Sequence, residues 1–164
     1  MSAALTIRAR PLSAAAFAPF GDVLEASGQP DKVINEGLCD RFHDRARMDF
    51  GPGGRAGISI FRATSRALPY ACGMLERHPE GSQAFVPMMD LAWLVIVAPD
   101  AGGRPGEPLA FLPSPGQGVN LLRNTWHGVL TPLAEPAIFA VIDRIGDTPN
   151  LEEFFLSEPV VVTS

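Results

Sequence analysis

The fold class this sequence predicts is mainly all-β, an antiparallel barrel or sandwich, and three observations predict it. Seven or more short stretches rich in β-branched, aliphatic and aromatic residues recur at roughly ten-residue spacing. Sixteen prolines and sixteen glycines punctuate the chain, as the turns between short strands require. After residue 21, a helical period in the apolar residues is nearly absent.

The elements follow in order. Ser13 precedes AAAFAPFG and caps one short N-terminal helix that ends at Pro19 or Gly21. Phe17 and Phe20 are placed to pin it to a sheet. The strands expected are GISIFRA (57–63), SQAFVPM (82–88), AWLVIVA (92–98), PLAFLP (108–113), GVNLLR (118–123), WHGVLTPL (126–133) and AIFAVIDR (137–144). LEEFFL (151–156), acidic and then apolar, suits a terminal helix or an edge strand. The turns GPGG (51–54), PDAGGRPGEP (99–108) and PSPGQG (113–118) separate strands, and PDAGGRPGEP is the expected mobile loop. With no internal repeat or linker, residues 1–164 are expected to form one domain.

Composition narrows the function. A formal net charge of -5 disfavours nucleic acid and anionic membranes as partners, while thirteen Lys and Arg residues can still meet an anionic substrate. Proline and arginine interrupt the apolar residues at the N-terminus, and the run Leu91 to Ala98 is too short to span a bilayer. A cytoplasmic location is expected. Cys39 and Cys72 lack the spacing of a zinc ribbon and are too few for a disulfide framework. They read as small buried thiols.

Two polar stretches carry the candidate chemistry. In ERHPEGSQAFVPM (76–88), an extended backbone puts Glu76 and His78 on one face and Arg77 on the other. The turn at Pro79–Ser82 then returns Gln83 and Phe85 to the same face. A carboxylate, an imidazole and an amide thus converge, a set acceptable to a divalent cation or to a substrate with its own donors and acceptors. The second stretch, LLRNTWHGVL, holds Arg123, Asn124 and His127. The third histidine, His43, sits in CDRFHDR beside Arg41 and Asp44, where it serves equally well to tie a loop. Trp93, Trp126 and Phe85 read as packing residues, with Trp126 also placed to wall the pocket. Asp143 and Arg144 suggest an ion pair at a strand end.

The spacing resembles that of a cupin barrel, whose first motif has two histidines one residue apart and a later glutamate, and whose second ends in a third histidine. Here the first-motif positions fall on Glu76, His78 and Gln83, with Asp90 at the closing glycine. The second motif falls on Gly116, Leu122, Asn124 and His127. Beyond spacing, LERHPEGSQAFVPM, GQGVNLLRNTWH and FAVIDR resemble the ureidoglycolate lyase family, as do NEGLCDRFHD (35–44), SIFRA (59–63) and PLSAAAFAPFGDVLE (11–25). The resemblance runs in order over nearly the whole chain.

That resemblance implies a cupin-type jelly-roll barrel with a reworked site that cleaves (S)-ureidoglycolate to glyoxylate and urea in allantoin breakdown. Cleavage needs a base for the substrate hydroxyl, an acid for the departing nitrogen and a cation for the carboxylate. His78 and His127 are the candidates for proton transfer, with Glu76 orienting one of them or acting as the base. Gln83 and Asn124 offer amides to the ureido group. Arg62 is the candidate carboxylate clamp, with Arg41, Arg123 and Arg144 competing. A divalent metal, nickel by resemblance, has Glu76, His78, Gln83 and His127 as possible donors, and no organic cofactor is expected. Exposed edge strands suggest a homodimer. Two other readings are a metal-dependent cupin oxygenase or isomerase, and a non-catalytic cupin that binds a small carboxylate.

Overall fold

The computed structural model describes residues 4–164. The chain opens with β1 (Thr6–Arg8) and β2 (Arg10–Pro11), followed by one helical turn, α1 (Ala14–Phe17). The Ser13 side chain caps α1 by accepting from the Ala16 N–H. Phe17 and Phe20 bury completely or nearly so, which fixes the helix against the barrel. Next come β3 (Gly21–Leu24), the small hairpin of β4 (Lys32–Ile34) and β5 (Cys39–Arg41), then β6 (Arg55–Ala63), β7 (Tyr70–Arg77), β8 (Gln83–Pro87) and β9 (Trp93–Ala98). The second half contains β10 (Leu109–Leu112), β11 (Gly118–Leu121), β12 (Trp126–His127), β13 (Thr131–Pro132), β14 (Ala137–Ile145) and β15 (Glu152–Thr163).

One expectation changes and two stretches gain detail. The stretch 126–133 is two two-residue strands rather than one, because β12 pairs with β7 and β9 whereas β13 pairs only with β9. The stretch 151–156 begins a twelve-residue strand, with a register shift between Phe155 and Val160. The loop 99–108 is held by its own turns: Ala101 N–H donates to Arg104 O, Gly106 N–H to Pro99 O and Gly103 N–H to the Asp100 carboxylate.

Among the described residues two large sheets form. The larger runs β1-β15-β7-β12-β9-β10-β2, and the smaller runs β3-β11-β8-β14-β6. Strands β1 and β2 are separated only by Ala9, yet β1 lies parallel to β15 and β2 parallel to β10. One extended segment therefore joins both edges of the larger sheet and closes it into the cupin-type barrel. Closure leaves no free strand edge there for another chain to pair with.

Strand β9 explains the unbroken apolar run WLVIVA. Trp93, Val95 and Val97 face a core shared with Phe85, Val119, Leu121, Phe139 and Val141 of the smaller sheet. Leu94, Ile96 and Ala98 face a second core with Leu75, Ala110, Trp126 and Val162, all from the larger sheet. A strand buried on both faces loses the alternation of a half-exposed one. Each fully buried side chain of this size contributes about 1.5–3 kcal/mol relative to exposure.

Candidate active site

The alternation of side chains that builds the two cores also builds a polar cluster at the end of the first. Leu75 points into the second core, so Glu76 points to the other face of β7. Likewise Trp126 enters the second core, and the next residue, His127, faces the opposite way. His127 stands directly opposite Glu76 in the antiparallel pairing of β12 and β7, and opposite residues of such a pair project from the same face. His78 follows the end of β7, in the turn that carries the chain to β8 in the smaller sheet. Gln83 opens β8 and lies opposite Asp143 of β14. The site is thus assembled across the gap between the sheets.

The turn is itself anchored. The Asn124 N–H donates to the His78 carbonyl at 3.0 Å. Asn124 sits in the left-handed region (φ 65°), which asparagine tolerates better than most residues. Gly81 packs so closely on Asp49 that an added Cβ would stand 2.6 Å from its carbonyl oxygen. Ser82 Oγ accepts from the Asp49 N–H and donates to the Asp49 carbonyl.

Within the cluster, His127 and His78 ring centroids lie 5.2 Å apart. His127 Nδ1 is 2.9 Å from the Gly128 carbonyl, so Nδ1 carries the hydrogen and donates. Its Nε2 is buried without a hydrogen-bond partner. Burial first, and the neighbouring His78 second, lower the His127 pKa to about 4. At neutral pH the ring is uncharged and Nε2 presents a free lone pair. Glu76 moves the other way: burial raises its pKa, His78 opposes this, and Glu153 adds to it. Glu153 lies opposite Glu76 on the far side of β7, in β15. His78 meets oxygen on both sides, Asn150 O at 2.7 Å from Nδ1 and Gln83 Oε1 at 3.1 Å from Nε2. Beside His127 lies a small cavity of about 20 Å³, lined mainly by apolar side chains including Phe85, Val95, Val119, Leu121 and Leu130.

Donor atoms of Glu76, His78 and His127 lie within 4.8 Å of one another, a possible metal-binding group. Two imidazoles and a carboxylate suit a divalent transition ion, and the unpartnered Nε2 of His127 is free to ligate one. His78 would have to release Gln83 to offer its own Nε2. Gln83 does not complete this donor group; its amide bridges His78 and Asp143.

The remaining sequence candidates stand elsewhere. The Asn124 side chain is exposed and borders a different surface pocket, with Phe20, Asp100 and Arg123. Arg62 is exposed on β6 at the edge of the smaller sheet. Arg41 is exposed at the base of the β4–β5 hairpin and shares a surface pocket with Asp31, Lys32 and His43. His43 is exposed, and its backbone N–H donates to Asp31. Arg123 makes a two-pronged ion pair with Asp49. Arg144 and Asp143 do not pair: Arg144 donates to Phe50 O and to Thr148 Oγ1, because consecutive strand residues point to opposite faces. For the same reason Trp126 does not wall this pocket; it packs against Phe154. Asp143, expected only as an ion-pair partner of Arg144, and Asn150 and Glu153, which the sequence did not single out, surround the cluster. Only the cross-strand register reveals them.

Residues 4–163 match the family described as ureidoglycolate lyase. A ureidoglycolate lyase of Rhodobacter capsulatus is 56% identical over 152 residues, covering 93% of this chain and 94% of the relative. One of Chelativorans sp. is 53% identical over 154 residues, with 93% of each chain covered. A relative from Rhizobium meliloti named ureidoglycolate lyase 2 is 51% identical over 154 residues, covering 93% and 94% respectively.

Proposed function

The chain belongs to the ureidoglycolate lyase family, and from that premise we propose how its cluster of Glu76, His78 and His127 cleaves (S)-ureidoglycolate to glyoxylate and urea. The reaction moves one proton from the substrate hydroxyl to the ureido nitrogen while a C–O bond becomes C=O and the C–N bond breaks. It therefore needs a base and an acid within one substrate's reach. The observation that carries the assignment is the cross-strand placement of Glu76 opposite His127, whose buried Nε2 has no partner; burial also lowers the His127 pKa to about 4 and raises that of Glu76. Environments that push two titratable groups apart separate base from acid.

His127 Nε2, uncharged and unpartnered, takes the hydroxyl proton. Glu76, which holds its proton to higher pH than an exposed glutamate, delivers one to the departing nitrogen. Because the two residues face each other across β7 and β12, the proton returns from His127 to Glu76 and resets the site. His78, held between the Asn150 carbonyl and the Gln83 amide, is the polar ring left beside them to meet the substrate carboxylate. That role falls to it because Arg62 and Arg41 lie on exposed surfaces and Arg123 and Arg144 are engaged elsewhere. Gln83 holds His78 in place rather than binding the ureido group, and Asn124 acts through its backbone.

The proximity of donor atoms in Glu76, His78 and His127 favours a second reading, in which these three hold a divalent ion, nickel by family resemblance. Such an ion would supply a Lewis acid for the hydroxyl and carboxylate oxygens.

The same proposal treats residues 1–164 as a single domain in the cytoplasm. Among the described residues no helix is long and apolar enough to cross a membrane. It also makes the enzyme a homodimer, with the exposed Ile58 and Ile60 of edge strand β6 covered in the pair.

The experiment is product analysis on racemic ureidoglycolate, before and after chelation. Equal glyoxylate and urea with no ammonia is expected, with half the racemate consumed. Ammonia as a product would mean amide hydrolysis and sink the assignment. Loss of turnover on chelation, restored by nickel, would select the metal-bound reading.

A further inference from the structure

The hydroxyl, the departing nitrogen and the carboxylate of the substrate each have a partner in the reading above. The ureido carbonyl has none, since Gln83 is engaged by His78 and Asp143 and the Asn124 side chain lies elsewhere. The face of β7 that carries Glu76 continues to a place that fits it. Met74 lies two residues before Glu76 and projects from the same face. Phe155 stands opposite Met74, as Glu153 stands opposite Glu76. There a hollow of about 400 Å³ is lined by Arg66, Tyr70, Met74, Val129 and Phe155 among others. Val129 also lines the small cavity beside His127, so the two spaces adjoin. The cavity holds little more than a water, whereas the hollow falls among small-ligand sites of about 300–1,000 Å³. Arg66 is fixed at its backbone, where its N–H donates to Pro132 O at 2.8 Å. Its Nη1 donates to the Tyr70 hydroxyl at 3.3 Å, and its Cζ lies 5.3 Å from the Tyr70 ring centroid. The hydroxyl oxygen accepts that bond and keeps its own hydrogen to donate. Among the described residues Arg66 forms no salt bridge.

We infer that Arg66 and Tyr70 bind the ureido carbonyl oxygen of the substrate and stabilise the departing urea. The inference rests on the reading of Glu76, His78 and His127 as the lyase site. The order His78, Glu76, Met74 along the chain then matches the order of the substrate: carboxylate, reacting carbon, ureido group. When the C–N bond breaks, both its electrons go to nitrogen, and conjugation spreads them onto the carbonyl oxygen. The proton from Glu76 ends on that nitrogen, and the hydroxyl proton goes to His127 as C–O becomes C=O. A guanidinium N–H and a phenolic O–H on the carbonyl oxygen hold the charge while it develops, which is where fixed donors accelerate most. A purely structural Arg66 would need only the face of the Tyr70 ring, not its hydroxyl.

The test removes each donor and reads turnover and inhibition together. Arg66→Gln is expected to lower kcat by about 10²–10³-fold, the usual cost of a lost oxyanion donor. Tyr70→Phe keeps the ring beneath Arg66 and is expected to cost about three- to tenfold. Two inhibitors separate binding of the ureido group from general damage. N-carbamoylglycine is the substrate without its hydroxyl and cannot be cleaved in this way, and glycolate has no ureido group. Arg66→Gln should weaken inhibition by N-carbamoylglycine about tenfold or more and leave that by glycolate unchanged. A kcat within twofold of wild type in Arg66→Gln, or equal weakening of both inhibitors, would overturn the inference. If Arg66→Gln does not fold, Tyr70→Phe decides: weaker N-carbamoylglycine alone supports the inference, and unchanged turnover and inhibition overturn it. Wild-type protein inactive on ureidoglycolate would remove the functional reading alone. N-carbamoylglycine binding, followed through the Met74 methyl signal, would then still judge the hollow. A shift that Arg66→Gln or Tyr70→Phe abolishes keeps it as a ureido site, and no shift in the wild type overturns it.

Discussion

The two faces of β7 and β12 differ in how completely their polar groups are satisfied. On one face, Arg77 Nε donates to Glu152 at 2.6 Å, its Nη1 donates to Asp100 at 3.0 Å, and its guanidinium stacks 4.4 Å over the Trp126 ring. Trp126 Nε1–H also donates to Asp100. On the other face, one residue along each strand, Glu76 is half-buried and His127 is buried with an unpartnered Nε2. Buried polar atoms are normally paired, since an unpaired one costs about 1–3 kcal/mol. The first face is built for stability. The second keeps an unpaired atom inside the fold, as expected of a group that awaits a substrate proton.

Substitutions on the two faces should therefore separate activity from stability, and the largest effect belongs to His127. Loss of a general base typically costs about 10²–10⁴-fold, so His127→Gln should lower kcat by that range with the folded state intact. Activity within twofold of wild type would return the base assignment to another residue. On the opposite face, Leu75 is fully buried, and Leu75→Ala should cost about 2–5 kcal/mol in denaturant unfolding, with kcat per folded molecule unchanged. If the two effects were interchanged, the division of the strand into a stabilising and a reacting face would be wrong.

His127 also makes the reacting face a source of pH sensitivity. Its folded pKa of about 4 lies below the ordinary 6.5, so between those values the unfolded chain binds a proton that the folded chain does not. Stability should fall as the pH drops from 6.5 toward 4, by up to about 3 kcal/mol, and this contribution should level off below. Melting curves of His127→Gln should lack this component of the slope. An identical slope in the variant would assign it to other groups.

How much of this was legible in the sequence depended on whether a feature is local. The run WLVIVA, the capped turn at Ser13 and the strands around 57–63, 82–88 and 137–144 declare themselves through composition, because packing acts on each residue's own apolar surface. The pairing of Glu76 with His78 follows from alternation, and His127 from spacing. Partners across strands do not. Asp143 beside Gln83, Glu153 beside Glu76 and Asn150 beside His78 depend on register, which no single stretch encodes. The arginines failed as pocket residues for a related reason: a guanidinium's partner is set by tertiary neighbours. Arg123 meets Asp49 from 74 residues away, and Arg144 meets the Phe50 carbonyl from 94.

The finest comparison lies between two adjacent glutamates of β15. Glu152 pairs with Arg77 on the stabilising face, whereas Glu153 stands opposite Glu76 on the reacting one. The negative charge of Glu153 makes it harder for Glu76 to ionise and so contributes to its raised pKa. Removing that charge in Glu153→Gln lets Glu76 lose its proton at lower pH. If protonated Glu76 is the acid, the alkaline limb of kcat/KM must move to lower pH. The acid limb near pH 4, set by His127, should stay where it is. Glu152→Gln removes the same charge one residue away and should leave both limbs in place, because its field is spent on Arg77 behind the strand. A limb that moves equally in both variants would reflect net charge alone, and one that moves upward in Glu153→Gln would remove Glu76 from the acid role.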